Sequence, residues 1–234
     1  REGIVTETHY IGKPAARVDA LEKVLGTAQY AGDLHPAGML YARCLRSTLP
    51  HARIVRLDIT PALQVPGVRA AITGADFVNH GRFGFPVADM YMLAHERVRY
   101  VGDAIAAVAA ESEEALAAGL AAIVCELEPL PAVFDPEAAL DPSAPLIGEQ
   151  PWESTTEPRG NLLATDIVRL GDPEALLAAC EVTLDEHFST AHQEHAYLET
   201  EAALAEPWPD GTGVTVHSSN QSPFINRDTL CRTL

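Results

Sequence analysis

Between Pro129 and Pro158 the sequence carries seven prolines: Pro129, Pro131, Pro136, Pro142, Pro145, Pro151 and Pro158. Each fixes φ and removes a backbone N–H, so neither a helix interior nor an inner strand can run through this stretch. It reads as an extended interdomain connector, with Leu130, Val133, Phe134 and Leu146 as apolar anchors that pack it down. A chain of 234 residues has room for one large domain or two smaller ones. The connector therefore divides it into a first domain at 1–128, a Pro-rich stretch at 129–160 and a second region at 161–234.

Upstream, residues 1–26 read as an irregular lead-in punctuated by Gly12, Pro14 and Gly26. Short strands are expected at 27–30, 40–45, 53–59 and 68–73, where aliphatic, aromatic and β-branched residues lie between Gly and Pro punctuation. Thr60 is placed to cap a one-turn helix with Pro61 at its first position. A longer helix is expected at 112–123, capped by Ser112, with Glu113 and Glu114 at its positive end and Leu116, Leu120 and Ile123 on one side. Apolar strands at 104–109 and 124–127 flank it, which predicts a β-α-β unit with both strands against one face of the helix. Downstream, Asp172 caps a short helix at 173–179, and 181–188, 202–205 and 213–218 read as strands. Ser222 caps a last helix with Pro223 at its first position and Ile225, Leu230 and Cys231 as its apolar side. No C-capping Gly or Asn follows, so this region is expected to be cut rather than complete. The fold class is α+β.

The charge balance removes several function classes. With 33 Asp+Glu against 16 Lys+Arg, the net charge is −17, and no stretch concentrates enough cations to displace counterions from nucleic acid or to seek an anionic membrane. Since 47% of residues are hydrophobic and only 21% charged, the acidity belongs to the surface of a folded protein. No apolar run reaches the roughly 18 residues that a bilayer span needs, and the first residues show no secretory signal, which points to the cytoplasm. Cys44, Cys125, Cys180 and Cys231 form no CxxC pair and read as buried, reduced thiols.

Nucleophile-elbow, phosphate-loop and dinucleotide motifs are missing. One dense polar cluster remains at 189–201. His192 and His195, with Glu194, Glu199 and Glu201, could suggest metal ligands. The spacing matches no zinc motif, however, and a turn whose side chains satisfy local backbone is the plain alternative.

The stretch QEHAYLET at 193–200 strongly resembles the molybdenum-site segment of the large subunit in the xanthine dehydrogenase and aldehyde oxidase family, the molybdenum hydroxylases. The similarity continues through IGKPAARVDALEKVLGTAQYAGD at 11–33, LYARCLRSTLPHARI at 40–54, VRYVGDAIAAVAAES at 98–112, LEPLPAV at 127–133 and SSNQSPF at 218–224. This resemblance implies an α/β hammerhead first domain followed by the beginning of a molybdopterin-binding α+β domain. It implies a molybdenum–pterin dinucleotide cofactor, with Gln193 donating a hydrogen bond from its amide to an oxygen ligand of the metal and no residue of this chain coordinating the metal directly. A neutral amide can orient and polarise such an oxygen without adding charge. His195, Tyr197 and Glu199 match the family pattern and would support the segment from behind, while Gln221 and Ser222 read as turn and cap groups.

The resemblance also implies what these residues do not contain. The family's glycine-rich cofactor segment and its general-base glutamate would lie beyond residue 234, so this chain alone is expected to be inactive. The parent reaction would be oxidative hydroxylation of a small heteroaromatic or aldehyde substrate, with oxygen from water. Iron–sulfur clusters and FAD would sit on partner chains, alongside the remainder of the large subunit. The alternative is a non-catalytic assembly domain of the same fold that docks a separate catalytic chain.

Overall fold

The computed structural model describes residues 11–77, 82–84, 88–148, 160–162 and 165–233. The first ten residues of the lead-in, and the part of the Pro-rich stretch that includes Pro151 and Pro158, lie outside the described residues. The chain forms two compact units: one combines Arg1–Ala37 with Gln193–Gln221, the other Gly38–His192 with Ser222–Leu234.

The first unit begins with α1 (Ala20–Leu25), where the lead-in was expected to be irregular. The signal was present in the sequence. Asp19 pairs with Lys23 at 2.7 Å, one turn on, and Gly26 closes the helix at φ 70°, its N–H donating to carbonyls of Glu22 and Lys23. The strand expected at 27–30 does not form. A 3-10 turn at Ala31–Asp33 follows instead, with the Asp33 carboxylate accepting the Tyr30 N–H at 3.0 Å.

In the second unit, β1 (Tyr41–Arg46), β2 (Ala52–Asp58), β3 (Val68–Thr73), β4 (Arg97–Val98), β5 (Ala104–Ala110) and β6 (Val124–Pro129) make two antiparallel three-stranded sheets. Their orders are β1-β5-β3 and β4-β2-β6. Between β2 and β3 lies α2 (Thr60–Leu63); Thr60 is its first residue rather than its cap, and Asp58 accepts the Thr60 N–H at 2.9 Å. The helix α3 (Glu113–Ala122) starts as expected, with Ser112 Oγ accepting the Ala115 N–H at 3.2 Å. It packs on β5, β1, β3 and α2.

The expected β-α-β unit needs correction. β5 and β6 flank α3 in sequence but belong to different sheets, so β6 leaves the helix and pairs with β2. The alternation of β5 explains why. Val108 and Ala110 join Leu116 of α3 in one buried cluster, while Ile105 joins Ala52, Ala94 and Val98 in another with Leu57, Cys125 and Leu127 packed against it. A central strand of small residues, buried on both faces, lets a helix approach one side and the second sheet the other. Gly119 makes the helix contact close: a Cβ there would stand 2.8 Å from Val68 Cγ2 and 3.1 Å from Val108 Cγ1. Across the second sheet, Arg53 and Arg56 pair with Glu128 and Glu126, the residues opposite them in register.

The described part of the Pro-rich stretch is extended and pinned by side chains. His51 Nδ1 lies 2.6 Å from the Pro131 carbonyl, Arg97 donates to the carbonyls of Leu146 and Gly148, and the Asn161 amide donates at 3.0 Å to both Ala139 and Pro145. Leu130 and Val133 are partly buried, but Phe134 and Leu146 are exposed rather than anchoring. Polar contacts to carbonyls that the prolines leave unpaired do the pinning.

Asp172 caps α4 (Pro173–Ala178), accepting the Ala175 N–H at 3.2 Å. No strand forms at 181–188: Val182, Leu184 and Phe188 stand exposed, because an alternating segment becomes a strand only where another strand pairs with it. β7 (Ala203–Pro207) and β8 (Val214–Ser218) form an antiparallel hairpin in register Ala203↔Ser218 to Pro207↔Val214. α5 (Pro223–Thr233) follows, with Ile225 and Cys231 exposed and only Leu230 of the expected apolar side partly buried. Of the four cysteines, Cys44 and Cys125 are partly buried, while Cys180 and Cys231 are exposed, against expectation. Burial pushes the Cys125 thiol up and keeps it protonated.

Candidate cofactor-contact segment

Gln193, His195, Tyr197 and Glu199 all lie on one irregular segment that enters β7. The hairpin that follows it is tied by side-chain contacts. Trp208 Nε1 donates to Thr215 Oγ1 at 3.0 Å, and Gly213 sits so close beneath the indole that a Cβ would meet it at 2.8 Å. Glu206 and His217 face each other across the ladder, with Nε2 and Oε2 3.2 Å apart. After β8, the Asn220 amide donates to the Ser218 carbonyl at 3.3 Å and to Ser218 Oγ at 3.1 Å, which turns the chain.

Within this unit an open cleft of about 560 Å³ is lined by Gln29, Tyr30 and Leu34 of the lead-in, by Glu199, and by His217 and Ser219 at the end of β8. The structure therefore brings Glu199 to the SSN turn, while Gln193, His195 and Tyr197 lie outside the cleft lining. His195 and Glu199 are exposed, so neither supports the segment from behind as expected. Tyr197 is 52% exposed, and the carboxylates of Glu201 and then Glu194 push its phenol up, so it stays neutral.

His192 belongs to the other unit, where it lines a cavity of about 520 Å³ with His51, Tyr100 and Phe134. No group of three or more His, Cys, Asp or Glu is placed to hold a metal ion among the described residues. Gln221 is exposed in the turn, and Ser222 accepts the Asn226 N–H through its backbone carbonyl at 3.1 Å.

Two antiparallel sheets with a helix over the first are followed along the chain by a hairpin region that carries an exposed polar segment. Residues 25–131 match the aldehyde oxidase and xanthine dehydrogenase a/b hammerhead domain, and 155–234 match the molybdopterin cofactor-binding domain. The chain belongs to the xanthine dehydrogenase and aldehyde oxidase family, and it corresponds to the N-terminal part of the large subunit. It is 39% identical over 223 residues to a probable xanthine dehydrogenase subunit of Bacillus subtilis, covering 95% of this chain and 29% of that protein. It is 35% identical over 218 residues to the nicotinate dehydrogenase large molybdopterin subunit of Eubacterium barkeri, covering 93% of this chain and 49% of the relative. Among solved structures, the aldehyde oxidoreductase of Desulfovibrio gigas superposes with a TM-score of 0.71 at 31% identity, over 86% of this chain and 23% of that one. The chain thus spans less than half the length of the curated relatives it matches here.

The residues present fit the group that these relatives imply. Gln193 is exposed, and its carboxamide takes no hydrogen bond among the described residues, which leaves a neutral donor open to an oxygen-bearing ligand.

Proposed function

We propose that this chain contributes the Gln193 contact to a molybdenum hydroxylase active site. When bound, the molybdenum–pterin dinucleotide supplies the two-electron acceptor for oxidative hydroxylation of a heteroaromatic or aldehyde substrate, with oxygen from water. The open carboxamide of Gln193 carries the reading, since it lies within the residues that match the molybdopterin cofactor-binding domain and takes no hydrogen bond among the described residues. Its N–H donates to a ligand oxygen of the cofactor and orients it. Being neutral, the amide adds no charge to an electron-rich centre. Tyr197 stays neutral beside Glu201 and Glu194 and adds no charge of its own to the segment. On this reading neither His195 nor Glu199 touches the metal, and Glu199 lines the cleft beside the lead-in.

On this reading the general-base glutamate and the glycine-rich cofactor segment come from residues outside these 234, and this chain alone does not catalyse. Iron–sulfur clusters and FAD on partner chains would take up the electrons. The test is Gln193→Ala in the assembled complex. Molybdenum content stays at the parent level while the hydroxylation rate falls about 10²-fold, the scale of losing one aligned donor at a reacting oxygen. A parent rate at full molybdenum content refutes the assignment. In Gln193→Glu, a carboxylate facing the same oxygen lowers the rate further than alanine does.

A further inference from the structure

Ala196 has φ 49°, and it is the one non-glycine residue with positive φ among the described residues. In the left-handed region the Cβ of an L-residue crowds the following carbonyl, so glycine and, after it, asparagine are the residues that occupy it readily. Alanine has no polar group with which to offset that crowding. Such a conformation is uncommon for a residue other than glycine, and uncommon backbone of this kind clusters at functional segments.

In an extended strand successive side chains alternate between opposite faces, and a residue of reversed handedness breaks that alternation. Ala196 lies three residues after Gln193 and one before Tyr197, so its backbone redirects the chain between them. Neither helix nor strand covers 191–200, so no ladder fixes this segment in place of that turn.

We propose that Ala196 is a positioning residue, whose left-handed backbone turns the chain between Gln193 and Tyr197 and so sets the direction in which Gln193 presents its carboxamide. The proposal rests on the reading of Gln193 as the cofactor contact. Its discriminating pair is Ala196→Asn and Ala196→Leu, which are close in size and shape but differ in their tolerance of positive φ.

In the assembled enzyme, Ala196→Asn and Ala196→Gly keep the molybdenum content, the Mo(V) electron paramagnetic resonance spectrum and, within about twofold, the kcat of the parent. Ala196→Leu keeps KM but loses about tenfold in kcat, with a changed Mo(V) spectrum, as follows when an interaction used only in the transition state is misaligned. If asparagine and leucine behave alike, or only the asparagine enzyme is impaired, the assignment is overturned. Should the leucine enzyme not load molybdenum, the asparagine enzyme decides alone: an unchanged Mo(V) spectrum supports the turn and a changed one overturns it. Gln193→Ala is measured alongside. A parent spectrum and rate in that variant defeat the reading of Gln193, whereas a changed spectrum there with no asparagine–leucine difference defeats only the role of Ala196.

Discussion

Gly119 is where packing of the helix on the first sheet can be measured most sharply. Replacing it with alanine adds a Cβ 2.8 Å from Val68 Cγ2 and 3.1 Å from Val108 Cγ1, so the helix must yield by roughly 0.6 Å to reach ordinary contact at 3.4 Å. Two effects oppose one another. Alanine is better than glycine inside a helix by about 1 kcal/mol, whereas overfilling a packed contact costs about 1–3 kcal/mol. Val108 is 1% exposed and cannot swing into solvent, and Val68, though only partly buried, is held in the β3 ladder against β5 and packs on the Val108–Leu116 cluster. The second effect therefore wins, and Gly119→Ala destabilises the protein by about 1 kcal/mol. In a Val68→Ala background Cγ2 is gone, and the same substitution becomes neutral or stabilising by up to about 1 kcal/mol. Urea unfolding of the four proteins in the cycle, compared at constant m, gives a coupling of about 1–2 kcal/mol. If Gly119→Ala stabilises the parent, or has the same effect in both backgrounds, then α3 does not lie on Val68 as described.

Three further outcomes follow from the same contacts. Ser112→Ala removes the hydrogen bond to the Ala115 N–H and lowers stability by about 1 kcal/mol, and Ser112→Asp restores most of it in thermal or urea unfolding. Asp103 is 8% exposed, and burial raises its carboxyl above 3.8, partly opposed by the Arg99 N–H at 3.0 Å and the Arg99 charge. Because the folded state holds that proton more tightly than the unfolded chain, Asp103 loses stability as pH rises from about 3.8 through the raised value. Unfolding free energies against pH should show Asp103→Asn gaining on the parent across that window, with a level difference above it. In the cofactor segment, Tyr197→Phe leaves molybdenum content and rate within about twofold, as expected of a neutral phenol that only spaces carboxylates. A pH–rate profile that loses a limb in Tyr197→Phe would contradict this.

Much of the hammerhead unit was legible because its elements carry their own signals. Ser112, the acidic first turn and the spacing of Leu116, Leu120 and Ile123 specify α3, and the third strand lies at Val68–Thr73 as its Pro66-Gly67 turn and apolar pattern indicate. Strand pairing was not legible. Nothing local in 104–110 or 124–129 tells which sheet each joins, since that depends on Ile105 facing one cluster and Val108 the other. For the same reason 181–188 alternates like a strand without becoming one. The two-residue strand Arg97–Val98 is too short to leave a pattern, and its place follows from pairing with Ala52 and Arg53. The cofactor segment left almost no physical signature. Gln193 is exposed and takes no hydrogen bond among the described residues, its neighbours are exposed as well, and only likeness to a family drew attention to it. The backbone of Ala196 could not have been read from an alanine at all.

The direct test of the account is a crystal structure of the complete enzyme complex, with the metal located by anomalous scattering at the molybdenum edge. It should place Gln193 Nε2 about 2.7–3.2 Å from an oxygen ligand of molybdenum, with no side chain of this chain in the metal's coordination sphere. A Gln193 amide turned away from the metal, or a histidine of the 192–195 segment bound to it, would contradict the account.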